Sequence, residues 1–468
     1  MRRLSLPPSP MSPAERRPPD ALLILFSVLA LAVALTWLVP AGEFRREPLN
    51  GRQVVVAGSY QPVAPTPAPW HRLFTAPVAG FADRDTARII AFVLLIGGAF
   101  GVVEATGAVA AGIGALARGA VRHPARRRWL VAALMLAFSI GGNTFGMSEE
   151  VLVFVLLTLG LARRMGWDPL TGVAIPFLGA GVGFSGAAFN PFTVGIAQGL
   201  SGLPLFSGWA FRMTMWATLT TITILYVLRH IARLEAARDA GTWRAPDRGA
   251  EPPALDGGRR AVLALFGLGI ATLVLGVARW DWYIEELAGL FLALAAGAAL
   301  LGRMRPNQTA AAFADGARAM VMPALFVALS KAVLVVLQEG RVIDTLLQHA
   351  SAGLGGLPPA VSAQGMFAVQ FGINFLVPSG SGQAALTMPI MAPLADLLGI
   401  PRQAAVIAFQ LGDGLCNFVI PTSGVTMGIL AIAGIPFGAW LRWVAGLMLW
   451  LVGAGAVFLF LATTVVRW

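Results

Sequence analysis

Long apolar runs, separated by short polar or basic stretches, fill almost the whole chain. A helical crossing of a bilayer needs about 20 apolar residues. Ala21–Pro40 meets this and follows Arg2, Arg3, Arg16 and Arg17. Its apolar stretch exceeds a signal peptide's core and lacks a small-x-small exit, so it predicts an uncleaved first span. Residues 41–87 read as a Pro-rich loop with one strand-like stretch, Arg52–Val56. Ile89–Glu104 predicts a second span, followed by Ala105–Leu116 and a basic loop holding Arg118, Arg122, Arg126, Arg127 and Arg128.

The run over 129–166 behaves differently. Two apolar arms flank the polar centre Gly141-Gly142-Asn143-Thr144-Phe145-Gly146-Met147-Ser148-Glu149-Glu150, and both outer ends are basic. Each arm makes about 22 Å of helix, short of about 30 Å of hydrocarbon. Basic residues at both ends place them on one side. The pattern predicts a re-entrant helical hairpin entered from the cytoplasm. Asp168–Gly183 then predicts a span interrupted at Ser185-Gly186-Ala187-Ala188-Phe189-Asn190-Pro191, where proline removes a donor and disfavours helix at Asn190. Trp209–Leu228 is a further span, and the charged stretch from Arg229 to Arg260 predicts a cytoplasmic linker.

The second half repeats the order. Ala261–Val277, Glu286–Leu301 and Val321–Leu337 predict spans, and Val342–Leu354 a surface helix. Residues 358–398 form a second hairpin around Val377-Pro378-Ser379-Gly380-Ser381-Gly382-Gln383. Its flanks carry only Arg341 and Arg402, so it is expected to enter from the opposite side. Gln403–Leu415 is broken at Asn417-Phe418-Val419-Ile420-Pro421-Thr422-Ser423-Gly424 before Val425–Ile432 resumes, and Trp440–Thr463 closes the chain. Interrupted segments in matching places of two halves point to the binding site of an inverted-repeat transporter. The expected organisation is a cytoplasmic tail 1–20, a first membrane half 21–230, a linker 231–260 and a second half 261–468. About nine full spans put the N-terminus inside and the C-terminus outside.

Composition agrees. Over 468 residues, 57% are hydrophobic and 12% charged, with mean hydropathy +0.74. Soluble chains carry about 25% charged residues, so an all-α integral membrane protein is expected. Cys416 is the lone cysteine, which excludes a disulfide scaffold. The net charge of +11 comes almost wholly from arginines in short loops, which fits the positive-inside pattern and not nucleic-acid binding.

The two hairpin tips and two broken spans are expected to converge near the midplane. Helix N-termini there attract anions, and unwound carbonyls can hold cations. Asn143, Thr144 and Ser148 belong to the first tip, Asn374, Ser379, Ser381 and Gln383 to the second. Asn190 marks one break, and Asn417, Thr422 and Ser423 the other. The ionisable candidates at depth are Glu149, Glu150 and Asp413. Glu104 and Lys331 are expected to snorkel from span ends, and Arg212 and Arg442 to anchor at the interface. His71, His123, His230 and His349 fall in predicted loops or surface helices. No P-loop, H-E-x-x-H, C-x-x-C or G-x-S-x-G motif appears. An enzyme is therefore not expected. An ion channel and an intramembrane hydrolase are the rival readings, and the hydrolase lacks a histidine at depth.

The same residues carry a resemblance. Gly142-Asn143-Thr144-Phe145-Gly146-Met147-Ser148-Glu149-Glu150, Phe189-Asn190-Pro191-Phe192-Thr193, Asn374-Phe375-Leu376-Val377-Pro378-Ser379-Gly380-Ser381-Gly382 and Asn417-Phe418-Val419-Ile420-Pro421-Thr422 look like the C4-dicarboxylate anaerobic carrier family, in its YfcC-like branch of basic amino-acid antiporters. The resemblance runs from about Ala21 to the C-terminus and adds Pro191 and Thr193 to the candidate site. It implies a secondary transporter of the bacterial inner membrane, with two inverted repeats, a scaffold domain that often dimerises and an elevator-like transport domain. It implies no cofactor or fixed metal, with H⁺, Na⁺ (a possible site at the hairpin tips) or exchange as driving force. Members carry dicarboxylates, arginine or ornithine, so the cargo stays open.

Overall fold

The computed structural model describes residues 21–49, 52–56, 58–121, 124–242, 253–280, 282, 284–354, 357–466 and 468. The expected tail 1–20, Arg122, His123 and residues 243–252 of the expected linker lie outside them. The described chain is overwhelmingly helical. α1 (Ala21–Leu38) leads into four short strands, β1 (Gly42–Glu43), β2 (Arg46–Leu49), β3 (Arg52–Val55) and β4 (Gln61–Pro62). β1 pairs antiparallel with β4, and β2 with β3, where Arg46 faces Val55. The strand expected at Arg52–Val56 is present. The rest of that loop is not all loop, because α2 (Arg72–Ala82) stands before α3 (Arg84–Ala105) and α4 (Ala108–Val121).

The first hairpin is α5 (Pro124–Phe145) and α6 (Val151–Met165). Its arms are unequal, which corrects the expectation of two short ones: the 22 residues of α5 make about 33 Å of helix. Gly141-Gly142-Asn143 does not end this helix. The bare face of Gly142 lies against the Ala180 carbonyl, so the glycine serves close packing and not a turn. α7 (Pro169–Ser185) begins where Asp168 accepts a hydrogen bond from the Thr171 amide at 2.9 Å and Pro169 takes the first turn. A π-helical turn (Pro191–Gly195) and α8 (Ile196–Leu200) follow the break. α9 (Trp209–Asp239) continues eleven residues past the expected Leu228, so the start of the expected linker is helix. His230 accordingly sits on α9, 2.9 Å from Asp168, and not in a loop.

α10 (Gly257–Trp280), α11 (Ile284–Leu301), α12 (Pro306–Ala319) and α13 (Val321–Glu339) come next. α12 was not expected, since its Asn, Gln and Thr hide its helical start. With α13 it forms a bent rod that runs antiparallel to α2 and α3. Arg72 pairs with Glu339 and Asp83 with Lys331, and Gly101 lies against the Ala312 carbonyl. α14 (Ile343–Ala352) is not a surface helix: Ile343, Asp344, Thr345, Leu347 and Ser351 are buried. The second hairpin is α15 (Pro359–Leu376) and α16 (Gly380–Leu397). α17 (Arg402–Cys416), α18 (Gly424–Ala433) and α19 (Phe437–Thr464) follow. Among the described residues, five helices are long and apolar enough to cross a membrane: Thr86–Ala105, Trp209–Asp239, Ile284–Leu301, Pro306–Glu339 and Phe437–Thr464.

α17 is the centre of the molecule. Every residue from Gln403 to Cys416 is buried. It is wedged between α7 and α15 by two glycines that face opposite ways. Gly412 lies against Gln370 and the Phe371 amide, and Gly414 against Ser185. In lipid, helix association rests on such close packing and on buried hydrogen bonds, because lipid tails are as apolar as leucine.

Candidate functional site

The buried polar centre grows from the two chain breaks and the two hairpin tips. At the first tip, α5 ends and Gly146 turns the chain in the left-handed region, φ +70°. Only a residue without Cβ fits there, because a Cβ would lie 2.8 Å from Asn190 Nδ2. Asn143 is buried. Its Oδ1 accepts from the Ala188 amide at 2.6 Å, and its carbonyl accepts from the Phe189 amide at 3.3 Å. This amide therefore binds the first tip to the first break. Thr144 donates to the Ile140 carbonyl of its own helix at 2.7 Å. Glu150 accepts from the Ser148 amide at 3.0 Å, closing the turn before α6. Ser148, Glu149 and Glu150 are half-buried.

At the first break, Asn190 Oδ1 accepts from the Phe192 amide at 2.9 Å and starts the π-helical turn with Pro191 at its first position. Asn190 Nδ2 and Thr193 Oγ1 are buried and have no protein partner. At the second break, Asn417 Nδ2 donates to the Asp413 carbonyl at 2.9 Å, and Thr422 donates to the Phe375 carbonyl at 2.7 Å. Ser423 caps α18 through the Thr426 amide, and Thr426 donates in turn to the Asn417 carbonyl. At the second tip, Ser379 caps α16, and Asn374 Nδ2 donates to the Asp413 carbonyl at 2.8 Å. Gln383 Nε2 donates to the Gln370 carbonyl and side chain, both at 2.8 Å. Gln370 Nε2 donates to Thr387 at 3.0 Å.

The centre of this arrangement is Asp413. It is fully buried, and neither carboxylate oxygen has a protein partner. A Cβ built on Gly380 would lie 2.8 Å from Asp413 Oδ2 and 2.6 Å from Thr193 Cγ2. The second tip, the first break and the carboxylate thus meet at one point. Asn374 Oδ1, Gln383 Oε1 and Gln410 Oε1 are also buried without partners. Gln410 Nε2 donates to the Phe184 carbonyl of α7 at 2.5 Å. A leftover set made mostly of acceptors calls for something that donates or is positively charged.

The structure thus joins both tips to the first break, and the second tip to the second break. It does not turn all the expected residues toward one cavity. Asn143 Oδ1, Asn417 Nδ2, Thr422 and Ser423 make chain connections, Asn143 Nδ2 donates to the Met213 sulfur at 3.5 Å, and Thr144 bonds its own helix. Gln370, Thr387, Gln410 and Thr426 were missed, because a lone Gln or Thr inside an apolar run gives no pattern. Arg212 is corrected from interfacial anchor to buried residue. It is fully buried, and its guanidinium donates to Gln403 at 2.8 Å and to the Ser207 carbonyl at 2.7 Å. Lys331 does not snorkel: it pairs with Asp83 at 3.2 Å in the middle of α13.

Interrupted helices that leave unpaired polar atoms at the centre of a multi-helix membrane protein are the architecture of a transporter. The chain belongs to the C4-dicarboxylate anaerobic carrier family, whose model matches residues 19–464. It is 34% identical to the "Putative basic amino acid antiporter YfcC" of Escherichia coli strain K12, over 91% of this chain and 92% of that one. It is 26% identical to an uncharacterized protein of Haemophilus influenzae, over 94% and 96% of the two chains. Among solved structures, the YdaH transporter of Alcanivorax borkumensis aligns over 95% of this chain and 98% of its own, at 18% identity and a TM-score of 0.45. The family is one of transporters and not enzymes.

Proposed function

We propose that this transporter is a secondary antiporter of basic amino acids that works by alternating access. Asp413 carries the reading. A buried carboxylate without a partner is costly, and an ammonium or guanidinium group supplies both the charge and the donors that it lacks. Residues 141–150, 185–195, 374–384 and 413–424 contain no Lys, Arg or His, and Glu149 and Glu150 add two further carboxylates. A dicarboxylate would bring two more negative charges to the same place. The similarity to the Escherichia coli putative basic amino acid antiporter supports the same cargo class. Exchange follows from the same carboxylate. An empty carrier would have to reorient around a bare buried charge, so a second cargo molecule, H⁺ or Na⁺ must neutralise Asp413 on the return.

The order of elements supports two repeats of opposite topology. α1, α2–α3, α4, α5–α6, α7, α8 and α9 correspond to α11, α12–α13, α14, α15–α16, α17, α18 and α19, with α10 as the extra span that inverts the second set. In this reading the hairpins are re-entrant from opposite faces, the transport domain moves as an elevator on a homodimeric scaffold, and the N-terminus lies inside. Single cysteines at Arg163 and Arg402 in a Cys416→Ala background then label from opposite sides of the membrane. Cargo is tested by counterflow in proteoliposomes loaded with arginine, ornithine, lysine, succinate or fumarate. Exchange confined to the basic amino acids is expected. Succinate or fumarate exchange without arginine exchange overturns the reading.

A further inference from the structure

A cavity of about 700 Å³ stands on the other side of the second tip, within the size range of small-molecule sites, about 300–1,000 Å³. Lys331 on α13 forms one wall. Ser379, Ser381 and Gly382 of the tip line the cavity as well, together with Arg46 and Arg341. Ser379 and Ser381 line the cavity, while Gly380 between them meets Asp413 and Thr193. The tip is therefore a partition one turn thick between the cavity and the buried carboxylate.

The cations of the cavity differ. Arg46 is held by Asp344 at 2.8 Å and Arg341 by Glu43 at 3.2 Å, with side chains 38% and 41% exposed. Lys331 is less exposed, at 25%, and Asp83 meets it through one oxygen at 3.2 Å. The other oxygen of Asp83 is taken by the amide and hydroxyl of Thr86, both at 3.0 Å, so Asp83 stays where it caps α3. An ammonium has three donors on a flexible stem, and one contact leaves donors to spare. Of the 34 Lys and Arg residues, Lys331 is the one lysine. A chain that uses arginine at every other basic position keeps here the compact ammonium, which suits a single carboxylate in a confined space.

We infer that Lys331 binds the α-carboxylate of the cargo, so that the transporter accepts amino acids and rejects their decarboxylated amines. The inference rests on the basic amino-acid reading above: Lys331 takes one end of the cargo, and Asp413 takes the cationic end when the tip moves aside. Counterflow of arginine is competed with agmatine, and of ornithine with putrescine, in proteoliposomes of the full chain. Wild type is expected to prefer each amino acid at least tenfold. Lys331→Gln loses at least tenfold in arginine KM with agmatine unchanged, and Lys331→Arg recovers part of the preference. Asp83→Asn, which breaks the same ion pair, keeps the arginine-to-agmatine ratio; a merely structural pair predicts that it matches Lys331→Gln. Equal competition by agmatine and arginine in wild type overturns the inference whether or not the variants fold. Arginine exchange with an unchanged KM in Lys331→Gln overturns it alone. Succinate exchange without arginine exchange removes the antiporter reading and this inference together.

Discussion

The two helical hairpins, α5–α6 and α15–α16, are built differently. In the first, the arms meet through apolar contacts such as Phe138 against Phe154, ring centroids 5.2 Å apart, and α5 packs along α7. Its polar atoms go outward to the first break, as Asn143 does with Ala188. In the second, buried polar groups stitch the arms together, from Gln370 through Gln383 to Thr387. The tips differ in charge as well. The first carries its own carboxylates, Glu149 and Glu150, whereas the second has none and faces Asp413 of α17. Both hairpins pack against their surroundings, the second through Asn374 to the Asp413 carbonyl and Phe375 to Thr422, but the second adds buried side-chain hydrogen bonds between its own arms. The arms of the second hairpin are thus coupled to each other beside Asp413, through Gln370, Gln383 and Thr387.

The largest test of this contrast is Asp413→Asn, which keeps the shape and removes the charge. Exchange of arginine is expected to fall about a hundredfold, since a buried hydrogen bond to a charged group is worth about 1.5–3 kcal/mol, while the thermal midpoint stays level or rises. Normal exchange by this variant would move the cargo site away from the second tip. Next is Thr193→Val, which removes an unpartnered hydroxyl beside Asp413. Arginine affinity measured by thermal shift is expected to fall about tenfold, with little change in stability of the unliganded protein.

Gln383→Leu tests the stitching. It strips Gln370 of a buried donor, so stability is expected to fall by about 1–3 kcal/mol, read as a lower melting temperature in detergent. An unchanged melting temperature would mean that the second hairpin is not held from within. At the first tip the expected effects are smaller. Glu150→Gln loses charge at the turn that holds Ser148, for about 0.3–1 kcal/mol, with exchange retained; Glu149→Gln slows exchange without changing stability. Thr144→Val is expected to do almost nothing to either measurement, because that hydroxyl only folds back on its own helix.

Much of the fold was legible because lipid imposes a simple rule on sequence. Backbone groups at depth must be paired within helices, so apolar runs marked α1, α3 and α13 closely, and Gly, Pro and Asn clusters marked both hairpins and both breaks. The rule failed where polar residues sit in helices that pack on protein. α12 carries too few apolar residues to look like a span, α2 is only 11 residues long with Pro77 inside it, and α14 reads as a surface helix although neighbours cover it. It failed also at Gly141-Gly142, where glycine means a turn in one context and close packing in another.

The site divides the same way. The sequence determined which segments carry polar groups at depth, and that Asp413 was among them, because a charge inside an apolar run stands out by itself. Only the tertiary structure decided how each group is used. Asn143 and Asn190 have the same amide, yet one is satisfied by the Ala188 amide and the Met213 sulfur and the other keeps a nitrogen without a protein partner. Arg212 and Arg442 both stand near the start of a long helix, α9 and α19, yet one is sealed against Gln403 and the other is exposed. A hydrogen bond depends on two partners brought together from distant parts of the chain. Hydropathy depends on each residue alone, which is why spans can be read from sequence and the partners of a buried amide cannot.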